Sequence, residues 1–272
     1  MLEAGYVGAE WRMPPIRRLF EPSFFAPIIG YFFLFEGIAY CIRSSIWSSH
    51  PPFERYRLRN LSVSLVHSAI TGGCALAFML LNPGVMFHDT MHWYEAWAAQ
   101  LPLLSMGYFC HDAVDILNNE RSKYAFEILL HHVVIFSIFS VGMISHKFLP
   151  YAYWALLVEV SSVFIHMRTI LEISMLHAAH GFLYRMIRIL SLVTIVVFRF
   201  GVLLWMLHYI IVNRRHFHAF YMCAGILADV FFLVLSLTMF FRMLAQDGFF
   251  GERARRKASI QRQMQTKELH KC

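Results

Sequence analysis

Long apolar blocks separated by short polar clusters dominate the pattern of this chain. Each block contains about 19–27 residues, which is enough for a helix to cross a hydrocarbon core of roughly 30 Å. The fifth and sixth blocks exceed this minimum, so we expect these helices to tilt or to contain a break. The pattern predicts an all-α, polytopic membrane bundle of about seven transmembrane helices, near 23–42, 61–81, 98–117, 127–145, 149–173, 185–211 and 217–241.

Composition favours a membrane protein over a soluble one. Of the 272 residues, 58% are hydrophobic and 15% are charged, whereas a soluble domain carries about 25% charged residues. No domain linker or internal repeat interrupts the blocks. We therefore predict an N-terminal segment with the first helix at 1–49, a domain of six transmembrane helices at 50–245, and a basic tail at 246–272.

The net charge is +7, and much of it lies between Arg242 and the C-terminus. Such a tail is expected to bind the anionic cytoplasmic leaflet. Nucleic-acid binding would need a soluble basic domain, which the pattern does not predict. Basic residues in the loops at 43–60, 118–126 and 174–184 favour an N-terminus outside the cell and a C-terminus in the cytosol. In that orientation the glycosylation sequon at Asn60 faces the cytosol.

Ionisable side chains occur inside the predicted helices, where each costs at least a few kcal/mol unless it faces a partner or a cavity. In the predicted orientation, six of them lie in the cytosolic half of the bilayer, on the second to fifth helices. We expect these six to form one polar chamber that opens toward the cytosol. They are His67, Asp112, Asp115, His131, His132 and His166, while Glu159 and Arg199 lie nearer to the midplane.

Helical spacing supports a common face for part of this set. Glu159, Ser162 and His166 form one stripe along the fifth predicted helix, because residues at i, i+3 and i+7 share a face. Adjacent His131 and His132 point about 100° apart on a helix. At most one of them therefore projects straight into the centre of the bundle, and the other is expected to contact a neighbouring helix.

Structural alternatives exist for several of these residues. A single intramembrane histidine commonly hydrogen-bonds a neighbouring helix. Asp112 and Asp115 share a helix face and can simply pair with Arg121 or Lys123 at the membrane surface. The histidines outside the chamber are expected to be interfacial or packing residues.

Other polar groups are expected to be structural. We predict an ion pair between Arg199 and Asp229, and a helix-packing contact for Glu36. No metal site is predicted, because the five cysteines lack paired spacing and the chain has no H-E-x-x-H pattern.

The ionisable residues inside the predicted helices suit acid–base chemistry better than nucleophilic catalysis, since the sequence has no nucleophile-elbow motif. A histidine can act as a general base on a hydroxyl or amine when a carboxylate orients it. Acyl transfer at a membrane is one reaction that would use such a group.

Four ordered motifs resemble the TLC domain, which is shared by TRAM, the Lag-type ceramide synthases and the CLN-type proteins. They are R-N-L-S-V-S-L-V-H-S at 59–68, G-Y-F-C-H-D-A-V-D-I at 107–116, L-H-H-V-V at 130–134, and L-V-E-V-S-S-V-F-I-H-M-R at 157–168. The last motif most resembles the calfacilitin-like branch of animal plasma-membrane proteins. The resemblance covers about residues 50–245.

This resemblance implies a role in lipid homeostasis. Calfacilitin-like relatives regulate the fatty-acyl composition and fluidity of membrane phospholipids and restrain incorporation of polyunsaturated chains. The resemblance therefore implies a multi-pass plasma-membrane protein, with the endoplasmic reticulum as the alternative. Its expected partners are membrane phospholipids or acyl chains, and its protein partners stay open.

Two alternatives follow from the same resemblance. One is an acyl-CoA-dependent lipid acyltransferase related to ceramide synthases, whose paired histidines match His131 and His132. The next helix departs from that pattern, because Glu159 and His166 stand where ceramide synthases carry a His-Asp…Asp segment. The other is a non-enzymatic regulator of a membrane partner such as a channel.

No cofactor is predicted, although acyl-CoA would be the co-substrate of an acyltransferase. The site residues are assigned in two groups. The candidate catalytic residues are His131, His132, Asp112, Asp115 and Glu159, and the candidate substrate-binding residues are His67, Tyr108, His111, Ser162, His166, Arg168 and Arg199.

Overall fold

The computed structural model describes residues 13–251 except 121, 177–179 and 217, and this part of the chain contains helices and no strands. Short 3-10 turns lie at Ile16–Phe20 and Arg214–His216, and a π-helical segment at Val196–Gly201 joins α7 to α8. The main helices are α1 (Pro22–Ser45), α2 (Pro52–Leu81), α3 (Pro83–His88), α4 (Gln100–Asn119), α5 (Lys123–Ser145), α6 (Leu149–Ile173), α7 (Gly181–Ile195), α8 (Val202–Val212) and α9 (Ala219–Gln246).

The predicted all-α polytopic bundle is confirmed. Five helical segments are long and apolar enough to cross a membrane. Helices α4 and α6, with 20 and 25 residues, also have the length of a membrane span. They are less apolar because polar side chains such as Asp112 and Arg168 are buried on their inner faces. The five apolar segments are Pro22–Ser44, Pro52–Leu81, Ala125–Ser145, Gly181–Val212 and Ala219–Gln246.

The sixth predicted span contains the expected irregularity. Its helix runs over Gly181–Val212, and the π-helical segment interrupts it near the middle. A π-helical segment inserts an extra residue into the helical turn and occurs frequently at functional sites. Here it carries Arg199. The fifth predicted span, α6, is by contrast a continuous α-helix.

Local sequence explains where several helices begin. Proline stands in the first turn of α1, α2, α3 and α6, where its missing N–H is not needed. The Ser122 hydroxyl caps α5 by accepting a hydrogen bond from the backbone N–H of Ala125 at 3.0 Å. Between α5 and α6, His146 and Phe148 adopt left-handed backbone angles, with φ of 51° and 61°. This tight turn makes α5 and α6 antiparallel neighbours.

Two glycines allow the closest helix approaches. Helix α2 forms its largest interface with α6, and α1 forms its largest with α4. A Cβ atom on Gly72 of α2 would lie 2.7 Å from the backbone nitrogen of Val160 in α6. A Cβ atom on Gly107 of α4 would lie 2.9 Å from the carbonyl oxygen of Ile28 in α1. Both crossings therefore require the absence of a side chain.

Candidate functional site

Three predicted site residues, Asp112, Asp115 and His132, form together with Asn60 what we call the closed network. The Asn60 Nδ2 atom donates to Asp112 Oδ1 at 2.6 Å and to Asp115 Oδ2 at 3.0 Å. The His132 Nε2 atom lies 3.6 Å from Asp112 Oδ2. Asp112 and His132 are both buried. One amide thus joins two carboxylates of α4 to α2, and α5 adds its histidine to the same group.

His67 and Tyr108 extend this packing between α2 and α4. Their rings stack with centroids 3.9 Å apart. The His67 Nε2 atom lies 3.2 Å from the Ser105 hydroxyl, and the Tyr108 hydroxyl donates to Ser64 at 2.8 Å. All four side chains are buried. His67 and Tyr108, both candidate substrate-binding residues, therefore bond neighbouring helices and do not line the cavity described below.

Glu36 has a polar partner, which differs from the packing contact predicted for it. The His111 Nδ1 atom lies 3.1 Å from Glu36 Oε1. The histidine side chain is 4% exposed and the glutamate side chain is 47% exposed. This contact joins α1 to α4, so the candidate substrate-binding residue His111 also has an interhelical partner.

A cavity of about 130 Å³ lies between α5, α6, α8 and α9. Most of its wall is apolar, and the small residues Ala224, Gly225 and Ala228 form much of the α9 side. The lining of α9 extends from Tyr221 to Ser236, which corresponds to a length of roughly 22 Å along the helix. The polar side chains His131, Glu159, Arg199 and Asp229 also line it.

The polar residues His131, Glu159 and Arg199 lie at one end of the cavity. On α5, His131 precedes the apolar lining residues, whereas on α6 Glu159 follows them and in the π-helical segment Arg199 precedes those of α8. Because consecutive helices of the bundle run antiparallel, these positions meet at the same level. The opposite end lies beside the turn between α5 and α6, where Gly142 and Phe148 line it together with the tyrosines Tyr151, Tyr209 and Tyr221.

Neighbouring side chains hold two of these polar groups in place. Arg199 donates from Nε to the Ser161 hydroxyl at 2.7 Å and from Nη2 to the Ser162 hydroxyl at 2.9 Å. The Ser68 hydroxyl donates to Glu159 Oε2 at 2.6 Å. Ser162, predicted to bind substrate directly, instead orients the guanidinium of Arg199. A fixed guanidinium beside a carboxylate and an imidazole can bind a polar or anionic group at this end.

The predicted ion pair between Arg199 and Asp229 is wrong. Asp229 accepts a hydrogen bond from the Tyr151 hydroxyl at 2.8 Å, whereas Arg199 donates to the two serines of α6. Both residues line the cavity, but each obtains its partner from α6. No sequence pattern indicated this tyrosine as the partner of Asp229.

The single polar chamber predicted from the sequence is also wrong, because its six members do not line one space. Of the six residues expected to form the chamber, only His131 lines the cavity. Both histidine rings contact Phe109, which stacks on His132 at 4.9 Å and meets the edge of His131 at 6.4 Å, and the two imidazoles lie edge to face at 5.6 Å. The cavity extends away from the end of the bundle where the chamber was expected to open.

Arg168 has a structural position that differs from its predicted role in substrate binding. Its guanidinium binds both carboxylate oxygens of Asp247, at 2.7 and 3.2 Å, and Glu172 at 3.0 Å. Arg188 also approaches Asp247, at 3.3 Å. This buried group attaches the residues that follow α9 to the end of α6. His166, on the same face of α6 as Glu159, does not line the cavity either.

Several residues of the site were not recognised from the sequence. Asn60 was interpreted only as part of a sequon, and Tyr151, Ser161 and Phe109 were not singled out. One signal in the sequence could have identified Asn60. It lies at the start of the second predicted span, at the same depth in the membrane as Asp112 and Asp115 near the end of the third. The predicted alternative partners of those aspartates, Arg121 and the Lys123 side chain, lie outside the described residues.

Within the described part of the chain, no group of three or more His, Cys, Asp or Glu side chains is arranged to hold a metal ion. The cysteines Cys41, Cys74, Cys110 and Cys223 are free thiols. The polar end of the cavity offers an imidazole, a carboxylate and a guanidinium group.

Comparison with known proteins identifies the architecture that carries this site. The family model of the TLC domain matches residues 57–245. TLC domain-containing protein 2 of Danio rerio is 31% identical over 192 residues, which is 71% of this chain and 77% of the relative. TLC domain-containing protein 1 of Gallus gallus is 32% identical over 211 residues, 78% of this chain and 81% of the relative. No solved structure matches.

Proposed function

Because this chain belongs to the TLC domain family, we propose that it regulates the fatty-acyl composition of membrane phospholipids by binding an acyl chain in its cavity. The observation that carries this proposal is an apolar cavity with a polar end, built inside a bundle of membrane-spanning helices. Lipids dissolved in the bilayer are the apolar molecules that such a bundle meets at the highest concentration.

The shape and chemistry of the cavity fit an acyl chain with a polar terminus. The part of the cavity wall that extends from Gly142 on α5 to Phe232 on α9 is mainly apolar. It can therefore contact the methylene groups of an acyl chain without leaving polar groups unpaired. The polar end offers the Arg199 guanidinium to an ester or carboxylate oxygen, which is a charge-assisted interaction. A purely apolar molecule would leave that end of the cavity unused.

The proposal also specifies which acyl chains are regulated and in which membrane. The motif at 157–168 resembles the calfacilitin-like branch, which supports a plasma-membrane protein that restrains incorporation of polyunsaturated chains and so regulates membrane fluidity. Three residues of that motif, Glu159, Ser161 and Ser162, belong to the polar end of the cavity or hold Arg199 there. The motif on which the resemblance rests thus coincides with the proposed binding site.

The test is lipid analysis of cells that lack the protein and are complemented with defined variants. Ala228 is 8% exposed and lines the cavity, so Ala228→Leu places a larger side chain inside it. Leu227 is 71% exposed and faces away from the bundle, so Leu227→Val is the matched control. We expect deletion to change the unsaturation of phosphatidylethanolamine and phosphatidylcholine. The wild-type chain and Leu227→Val should restore it, and Ala228→Leu should not.

An unchanged acyl profile after deletion, including in cells supplied with excess saturated fatty acid, would contradict the proposal. Full rescue by Ala228→Leu, at equal expression, would contradict the role of the cavity specifically. The comparison of Ala228→Leu with Leu227→Val requires that both variants match the wild type in expression level and thermal unfolding.

A second candidate function, acyl-CoA-dependent acyl transfer, is favoured by one observation: His131 and Glu159 line the same cavity. In that reaction His131 would take the proton of an acceptor hydroxyl or amine as it attacks the thioester carbonyl. The carbon–sulfur bond would break, and the coenzyme A thiolate would leave and take up the proton. Purified protein, labelled acyl-CoA and candidate acceptors test this. Coenzyme A release that does not depend on acceptor, or that His131→Ala leaves unchanged, excludes it.

A further inference from the structure

A carboxyl group lies inside the cavity, away from its polar end. Asp229 on α9 is 4% exposed and lines the cavity. The residues beside it on the lining face of α9, Gly225, Ala228 and Phe232, are apolar. An ionisable side chain within a membrane-spanning helix is costly, and it marks a functional site by default. An acyl chain held only by the polar end of the cavity would give Asp229 no role.

Only one oxygen of this carboxyl group has a partner. The Tyr151 hydroxyl donates to Asp229 Oδ2 at 2.8 Å. In the part of the chain that the structure describes, Oδ1 accepts no hydrogen bond and is accessible from the cavity. Polar atoms in a protein interior are normally hydrogen-bonded. We therefore expect the ligand of the cavity to supply the missing hydrogen bond to Oδ1.

Helix packing sets the distance between Asp229 and the polar end of the cavity. A Cβ atom on Gly225 of α9 would lie 2.7 Å from Ile210 Cδ1 on α8, so these two residues are at the same level. Because α8 and α9 run antiparallel, Asp229 lies about one helical turn nearer to the polar end than Gly225. The rise of about 1.5 Å per residue then places Asp229 roughly 10 Å from the level of Arg199. An extended acyl chain covers that distance in about eight carbon–carbon bonds.

The chemistry of Asp229 selects among acyl chains. An unsubstituted chain would fit the apolar wall but would leave Oδ1 without a hydrogen bond, because a methylene group is not a donor. A hydroxyl group both donates and accepts, so it can bond Asp229 whether the carboxyl group is ionised or protonated. Such a bond is about twice as strong when the acceptor is ionised. A hydroxyl group near the middle of the chain therefore matches the cavity better than a methylene group.

We propose that the cavity binds an acyl chain that carries a hydroxyl group near its middle, with this hydroxyl at Asp229 Oδ1 and the polar terminus of the chain at Arg199. This inference rests on the proposed function of the cavity and specifies the class of acyl chain that the cavity selects. Tyr151 is a positioning residue, because its hydrogen bond to Oδ2 leaves Oδ1 for the ligand.

Native mass spectrometry of the full chain in detergent tests the proposal with equal amounts of octadecanoic acid and 10-hydroxyoctadecanoic acid. The two acids differ only in the mid-chain hydroxyl. A cavity without a polar partner for it would favour the unsubstituted acid, because burying an unpaired hydroxyl costs free energy. We expect the hydroxy acid to be retained about tenfold over octadecanoic acid. The 5-hydroxy isomer, whose hydroxyl would not reach Asp229, should be retained about threefold less than the 10-hydroxy isomer.

Substitutions on α9 identify the residue that is responsible. Asp229→Leu keeps a side chain of similar size without the carboxyl group, so it should still retain octadecanoic acid and should lose the preference for the hydroxy acid. Thr238→Val is the matched control, because Thr238 is exposed on the same helix and does not line the cavity. It should keep the tenfold preference. If Asp229→Leu is poorly folded, Asp229→Asn decides: its uncharged oxygen should reduce the preference to about threefold.

Three results would overturn the inference. The first is equal retention of octadecanoic acid and 10-hydroxyoctadecanoic acid by the wild type, which would show that water alone satisfies Asp229. The second is a preference that Asp229→Leu, or Asp229→Asn in its place, leaves unchanged. The third is equal retention of the 5-hydroxy and 10-hydroxy isomers, which would mean that the hydroxyl is not bound at the level of Asp229.

Octadecanoic acid separates this inference from the proposed function. If the wild type retains octadecanoic acid, Ala228→Leu does not, and the hydroxyl gives no preference, the cavity binds an acyl chain and only the inference about Asp229 fails. If the wild type retains neither acid, or Ala228→Leu retains both as well as the wild type, the proposed function of the cavity fails and the inference fails with it.

Discussion

His131 and His132 are adjacent in the sequence, yet they belong to two regions with different physical character. His132 lies in the closed network, where Asp112 is its partner and Asn60 joins the carboxylates. His131 lines a cavity whose other walls are mainly apolar. Burial of a polar side chain therefore does not by itself identify a functional site. The distinction is whether its surroundings are filled by partners or left open to a ligand.

The two regions also differ in what their polar groups contribute to stability. Most polar groups of the closed network have side-chain partners on other helices, so removing one leaves another unsatisfied. At the cavity, His131 contacts Phe232 by its ring edge, with centroids 5.1 Å apart. We therefore expect substitutions in the closed network to change unfolding, and substitutions at the cavity to change lipid binding.

The largest expected effect is on the helix crossing that supports both regions. Gly72→Val should prevent α2 from approaching α6, because even a Cβ atom would lie 2.7 Å from the nitrogen of Val160. We expect a loss of about 3 kcal/mol or more, seen as loss of folded protein in size-exclusion chromatography. Gly73→Val is the control, since nothing lies within 4 Å of a Cβ there. Equal behaviour of the two variants would contradict the close crossing of α2 and α6.

The next effect distinguishes the closed network from the cavity. Asp112→Ala removes one of the two carboxylate partners of Asn60 and the carboxylate beside His132, and a buried group left unsatisfied costs about 1–3 kcal/mol. We expect a lower unfolding temperature in detergent, while the protein that remains folded still binds lipid. Asp112→Asn keeps the shape and one acceptor oxygen, so it should lose less. A fully stable Asp112→Ala variant that has lost lipid binding would reverse our assignment of this region.

A smaller effect is expected for the histidine pair, and it is the most direct comparison. His132→Ala should destabilise the protein by about 1 kcal/mol and leave acyl-chain binding intact. His131→Ala should shift the unfolding temperature by less than about 2 °C and should weaken acyl-chain binding. Thermal unfolding and native mass spectrometry on the same samples measure both. Identical profiles for the two variants would remove the distinction between the regions.

The smallest effect is expected outside both regions. Arg242 and Glu127 form an ion pair between α9 and α5, with side chains 43% and 42% exposed. Exposed pairs of this kind contribute less than about 1 kcal/mol. Arg242→Ala should therefore change neither unfolding nor lipid binding measurably, and it supplies the baseline for the other variants. A large loss of stability would show that this contact supports the packing of α5 beside the cavity.

The sequence predicted the helices better than the site. Each of the seven predicted spans coincides with a long helix, because twenty apolar residues can bury their backbone polar groups in a bilayer only by forming one. The π-helical segment also falls in a span that was predicted to tilt or break. The predicted domain boundaries, the orientation in the membrane and the basic tail stay predictions, and 252–272 lies outside the described residues.

The site was harder to predict because periodicity gives the direction of a side chain but not what it meets. Asp112 and Asp115 were correctly placed on one face of a helix, but their joint partner, Asn60, came from a helix more than fifty residues earlier in the chain. Arg168 was assigned to a ligand, yet its partners are Glu172 and Asp247. Such partners depend on how helices pack, and long-range packing leaves no local signal.

Sequence alone was enough to establish that this chain forms a helical membrane bundle of the TLC domain type and that ionisable groups lie inside it. The length and apolar composition of the blocks, together with four motifs, were sufficient for that. Which of those groups face a cavity became clear only from the packing of the helices. A rotation of about 100° about the α5 axis separates His131 from His132, so that His132 faces Asp112 and His131 faces the cavity. That arrangement depends on α4, α5, α6 and α9 packing together, and no single helix carries it.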